Sequence, residues 1–152
     1  MFGQTATTSI HSEPVVSIQQ GIFNKGDKIA SNNFSGDVWL NMLVPTDKAY
    51  NTQIGYVTFA PGARSNWHLH PSGQILLITG GLGYYQEKGK QIQLLHKGDI
   101  VKCSPNVIHW HGASPGRFMT HIALSPNMDK RSVVWLGKVT DKDYNSNAPK
   151  ID

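Results

Sequence analysis

A chain of 152 residues is long enough for one buried core, and 39% hydrophobic with 16% charged residues is an ordinary globular balance. The net charge of +4 and the pI near 9.2 come from 14 basic residues interleaved with 10 acidic ones. Without a basic run, that pattern argues against a nucleic-acid partner. No apolar stretch approaches the ~20 residues of a membrane span, so no membrane partner is expected. The single Cys103 excludes an internal disulfide and reads as a small buried apolar residue.

The opening MFGQTATTSIHSEP lacks the basic and apolar regions of a signal peptide. Localisation stays open between the cytoplasm and, if a leader has been removed, the periplasm. Residues 1–35 are expected to form an arm or edge strand, with the Gly-, Ser- and Asn-rich NKGDKIASNNFSGD (24–37) as loop. Short runs rich in β-branched and aromatic residues then alternate with turn signals. VWLNMLV (38–44) stops at Pro45, IGYVTFA (54–60) ends at PGAR, and QILLITG (74–80) ends at GLG. YYQ (84–86) and IQLLH (92–96) flank EKGK, and DIVKC (99–103), FMTHIAL (118–124) and SVVWLGKV (132–139) follow. Turns at such short intervals favour a sandwich or barrel. TDKDYN (140–145) is the one fair helix candidate, with Thr140 as its cap. The predicted class is all-β, one domain over 36–146, with 147–152 as a flexible tail.

Seven histidines are many for this length, and five fall at 68, 70, 109, 111 and 121. Side chains alternate along a strand, so His68 and His70 share one face while Trp67 and Leu69 take the other. The same parity pairs His109 with His111 and turns Trp110 outward. His121 sits on a further predicted strand. Two His-x-His pairs converging from two strands suit a divalent transition metal such as Zn, Fe, Ni or Mn. His96 and His11 lack partners by spacing and read as surface residues; Trp39, Trp67, Trp110 and Trp135 read as packing groups.

The segment GARSNWHLHPSGQILLITG (62–80) resembles the first cupin motif, and GDIVKCSPNVIHWHGA (98–113) resembles the second. Asn106 stands where the second motif has glycine, and Asn tolerates the left-handed backbone that this turn needs. The resemblance implies a single cupin barrel (a jelly-roll, or double-stranded β-helix). Its metal ligands would be His68, His70, Gln74 and His109. Gln74 replaces the usual glutamate, so the cation would keep its full double charge, favouring Lewis-acid over oxygen-activating chemistry.

The longer string is similar to small bacterial cupins of the carboxymuconolactone-decarboxylase-associated group, which include manganese-dependent hydroxynitrile lyases. That similarity implies Mn2+, with Fe2+, Ni2+ and Zn2+ as alternatives, and cleavage of a small cyanohydrin to an aldehyde and cyanide. It implies His111 and His121 as proton-transfer residues and Gly55, Val57 and Ser125 as substrate-pocket residues. Ser125 departs from the lyase pattern, which carries glutamine there. A homo-oligomer, dimer or tetramer, is also implied. The competing expectations are an iron-dependent cupin dioxygenase and a non-catalytic cupin that binds a small ligand.

Overall fold

The computed structural model describes residues 21–130, 132–146 and 148–151. Among them, β-branched and aromatic residues in short runs give twelve strands and one helix. Six strands precede the long central one: β1 (Asp27–Lys28), β2 (Phe34–Ser35), β3 (Val38–Val44), β4 (Thr52–Phe59), β5 (Arg64–Ser65) and β6 (His68–Leu69). The rest are β7 (Gln74–Glu87), β8 (Gln93–His96), β9 (Ile100–Cys103), β10 (His109–Ala113), β11 (Met119–Pro126) and β12 (Val134–Trp135). A five-residue helix, α1 (Asp141–Asn145), follows, and the Thr140 side chain caps it by accepting from the Asp143 N–H. The all-β class is as expected. No helix among the described residues is long and apolar enough to cross a membrane.

Every pairing is antiparallel, in the order β1-β3-β4-β11-β7-β10-β5-β2. β8 and β9 also pair with β7, and β6 joins β10 to β12. The sheet therefore curls on itself, and β7 makes the turn. Its first half pairs with β9 and β11, its second half with β8 and β10. The glycine-rich stretch read as a strand end is a bend inside one strand of 14 residues. Gly81 has a φ of +76°, and a Cβ there would lie 1.8 Å from the Phe118 carbonyl oxygen. Only glycine lets the two strands approach so closely, and β11 carries a register shift beside it, between Thr120 and His121.

Two smaller differences appear. Within 24–37, β1 and β2 pair with β3 and β5. Of the run 132–139, only Val134–Trp135 is strand. The predicted arm falls largely on residues 1–20, and His11 with it, outside the described residues.

The main core fills the space enclosed by the curled sheet, around Phe59, Leu76, Ile78, Tyr85 and Met119. A second cluster lies outside it, where Trp67, Tyr84 and Trp110 pack against Tyr144 of α1. Buried Arg64 locks this outer layer, donating to the Val139 carbonyl and pairing with Asp141. This layer covers the outer face of β10, so Trp110 and the two histidines beside it lie on opposite faces of one strand.

Candidate metal centre and pocket

The histidines are positioned by β-sheet register. His68 on β6 faces His109 on β10 directly, and their rings stand 4.3 Å apart centroid to centroid. His70, just beyond β6, lies 5.1 Å from His68 and 5.6 Å from His109. His111, two residues along β10, is 5.3 Å from His68. Trp67 and Trp110 point the other way, into the outer cluster, as strand parity requires. His121 enters from β11, opposite Val57, with its ring 5.0 Å from His111 and stacked on Phe59.

Three of these rings share one arrangement. A carbonyl oxygen can only accept, so a ring nitrogen bonded to it must carry the hydrogen. His68 Nδ1 donates to the Asn66 carbonyl at 2.8 Å, His70 Nδ1 to Ser132 at 2.5 Å, and His109 Nδ1 to Val107 at 2.9 Å. Each tautomer is thereby fixed, and each Nε2 keeps a free lone pair. His70 Nε2, His109 Nε2 and Gln74 Oε1 are all buried without a hydrogen-bond partner. Unpartnered buried acceptors are costly in a folded protein, and the His70 and His109 rings that carry two of these stand 5.6 Å apart. Ring nitrogens of His68, His109 and His111 come within 4.8 Å of one another. The donor set of imidazoles and one amide oxygen fits a divalent transition metal.

His111 and His121 differ from those three. Among the described residues, neither His111 Nδ1 nor either His121 ring nitrogen has a hydrogen-bond partner. Only the His111 backbone is held, its N–H donating to Ser65 Oγ at 3.2 Å. Burial pushes the pKa of all five rings down; for His109 and His121 it falls to about 4. Around His68 and His111 the neighbouring imidazoles add to the fall, because no second positive charge is tolerated nearby. At neutral pH the cluster is uncharged, and among the described residues no carboxylate lines the cavity.

That cavity has a volume of about 220 Å³ and a mainly apolar lining. Gly55, Val57 and Ser125 line it, together with His68, His70, Gln74, His111 and His121. A Cβ on Gly55 would sit 2.9 Å from Leu40 Cδ1, so glycine keeps that wall thin. Ser125 Oγ accepts a hydrogen bond from Gln74 Nε2 at 3.2 Å.

Two contributors carried no functional signal in the sequence. Trp135, read as a packing group, packs 4.9 Å from the His68 ring and also walls the cavity. The Ser132 carbonyl is a backbone atom, and a backbone acceptor leaves no mark on residue type. His96 is exposed, Cys103 is buried in the main core, and Asn106 adopts a φ of +62°. All three match the sequence reading.

Fold and site together define a small β-barrel that carries a histidine centre. Residues 55–121 match the cupin domain. An (R)-mandelonitrile lyase from Granulicella tundricola is 41% identical over 111 residues, covering 73% of this chain and 85% of that protein. The solved structure of a cupin-like protein from Thermotoga maritima aligns at 48% identity with a TM-score of 0.79, over 83% of this chain and 96% of that one. A cupin 2 conserved barrel domain protein from Rhodopseudomonas palustris shares the fold at 21% identity and a TM-score of 0.61, over 77% and 76%. The chain belongs to the cupin family, as a small cupin resembling hydroxynitrile lyases.

Proposed function

We propose that this cupin is a metal-dependent lyase that splits small aromatic cyanohydrins into an aldehyde and cyanide. One observation supports the reading: the His68, His70 and His109 rings, each with its Nδ1 bonded to a backbone carbonyl, stand with centroids 4.3–5.6 Å apart, and His70 Nε2, His109 Nε2 and Gln74 Oε1 are buried without a hydrogen-bond partner among the described residues. His68, His70, Gln74 and His109 would hold the cation, with manganese favoured by the similarity to hydroxynitrile lyases. A divalent cation there supplies Lewis acidity toward a hydroxyl oxygen.

This chain's own residues do the rest. The apolar walls beside Gly55, Val57 and Phe59 take an aryl group. His111, neutral because it is buried, accepts the substrate hydroxyl proton on a ring nitrogen. The O–H electron pair becomes the carbonyl π bond while the carbon–carbon bond breaks, and its pair leaves with cyanide. His121, in edge contact with His111, takes that proton on one nitrogen and releases its own from the other to the cyanide. Both histidines end neutral, and the products are the aldehyde and hydrogen cyanide.

His111 as a fourth imidazole ligand is the second reading, favoured by its place in the close nitrogen trio. The absence of a partner at His111 Nδ1 supports proton traffic over ligation, since each of the other three rings has its Nδ1 tied. The deciding experiment loads the protein with Mn2+, measures aldehyde release from mandelonitrile, and counts bound metal in His111→Ala. Loss of activity with metal retained is expected. Loss of metal would make His111 a ligand. Oxygen uptake with bound iron and no cyanide release would replace the lyase with a dioxygenase.

A further inference from the structure

The geometry points to Ser125 as a positioning residue that makes Gln74 a metal ligand, beyond lining the pocket. The inference rests on the reading of Gln74 as a ligand given above. The backbone around Gln74 is already fixed. Ser72 Oγ donates to the Asn127 carbonyl at 3.0 Å, the Gly73 N–H bonds the His70 carbonyl at 3.0 Å, and the Asn106 N–H reaches that same carbonyl at 3.0 Å. These bonds set where the side chain starts and leave its torsions undecided. A glutamine has three of them, and rotamer freedom works against any ligand that must hold one pose.

Register supplies the missing constraint. β11 and β7 pair Leu124 with Ile75, so one step further along the antiparallel ladder Ser125 stands opposite Gln74. Ser125 is buried, and its hydroxyl accepts from Gln74 Nε2 at 3.2 Å. An amide anchored by its nitrogen presents its oxygen on the other side, and Gln74 Oε1 is the atom left buried without a partner. A neutral amide oxygen is a weaker ligand than a carboxylate, so its affinity leans more on being held in place before the cation arrives.

The test is a Mn2+ titration of wild type, Ser125→Ala, Ser125→Thr, Gln74→Ala and the Ser125→Ala/Gln74→Ala double variant. Visible spectra of the Co2+-loaded proteins and urea unfolding without metal accompany it. Ser125→Ala should weaken Mn2+ binding by about tenfold. Ser125→Thr, which keeps a hydroxyl, should restore binding. The double variant should bind no more weakly than Gln74→Ala alone, and the Co2+ spectrum of Ser125→Ala should move to that of Gln74→Ala.

Weakened binding in Gln74→Ala with wild-type binding in Ser125→Ala would overturn the positioning role and keep Gln74 as a ligand. So would additive losses in the double variant. Wild-type binding in Gln74→Ala would remove the ligand reading and the inference with it. Should Ser125→Ala fail to fold, the comparison of Ser125→Thr with Ser125→Cys decides: the hydroxyl must bind more tightly than the thiol, and equal affinities overturn the proposal.

Discussion

His121→Leu should make the metal-free protein more stable, and more so in acid. The His121 ring is 1% exposed, and neither of its nitrogens has a hydrogen-bond partner. A buried polar group left unsatisfied costs ~1–3 kcal/mol. Leucine removes that cost and gives up the stacking on Phe59, worth ~0.5–1.5 kcal/mol. At pH 7.5 the net gain is therefore small. Acid adds a separate effect, because burial holds the folded pKa at about 4 while the unfolded chain titrates near 6.5. Between those values the unfolded state binds more protons, so stability falls as the pH drops below ~6.5 and the loss levels off below ~4. At pH 5 this one ring weakens the fold by ~2 kcal/mol relative to pH 7.5. Urea unfolding in excess chelator at the two pH values reads the difference directly. The variant's advantage should grow by about that amount at pH 5, while cyanohydrin cleavage by the metal-loaded variant is lost and metal affinity stays. An equal advantage at both pH values would refute the assignment of His121 as a neutral ring carried at the expense of stability.

Three further outcomes follow from other parts of the fold. Mn2+ at a hundred times its Kd should raise the unfolding free energy by ~2.7 kcal/mol and Tm by roughly 5–10 °C; His68→Ala and His109→Ala should each abolish the shift in a thermal melt. The Cys103 thiol is 2% exposed, and burial pushes its pKa up to about 12. Ellman's reagent should therefore leave it unlabelled in the native protein and label it fully in urea. Arg64→Ala leaves the Val139 carbonyl without its two donors and frees α1, so urea unfolding should show a loss of ~2–3 kcal/mol, with protease cleavage beginning near residue 140.

Strand alternation explains why much of the centre was legible. Parity alone puts His68 with His70 and His109 with His111, and sends Trp67 and Trp110 to the opposite face. The structure reproduces both separations. Asn106 is another case, since residue type and turn chemistry together demand the positive φ that it adopts. The glycines of β7 defeated the same reasoning. A Gly-rich stretch ends a strand when the chain must turn back, and it bends one when two backbones must meet. Those outcomes differ only in what lies opposite, here the Phe118 carbonyl and Met119. Local sequence holds no record of that neighbour.

The site's remaining parts were hidden for a related reason. Ser125 was expected to line the pocket, but its bond to Gln74 depends on the register of β11 against β7, which no single strand encodes. The carbonyls of Asn66, Val107 and Ser132, which fix three tautomers, are backbone atoms that any residue type would supply. Nine buried side-chain atoms lack a hydrogen-bond partner among the described residues, and six of them belong to His70, Gln74, His109, His111 and His121. A fold selected for stability alone would have paired them or replaced them with carbon. Their concentration around the histidine cluster, while Trp110 and Tyr144 pack on the outer face of the same sheet, separates the part of the protein kept for chemistry from the part that holds it together.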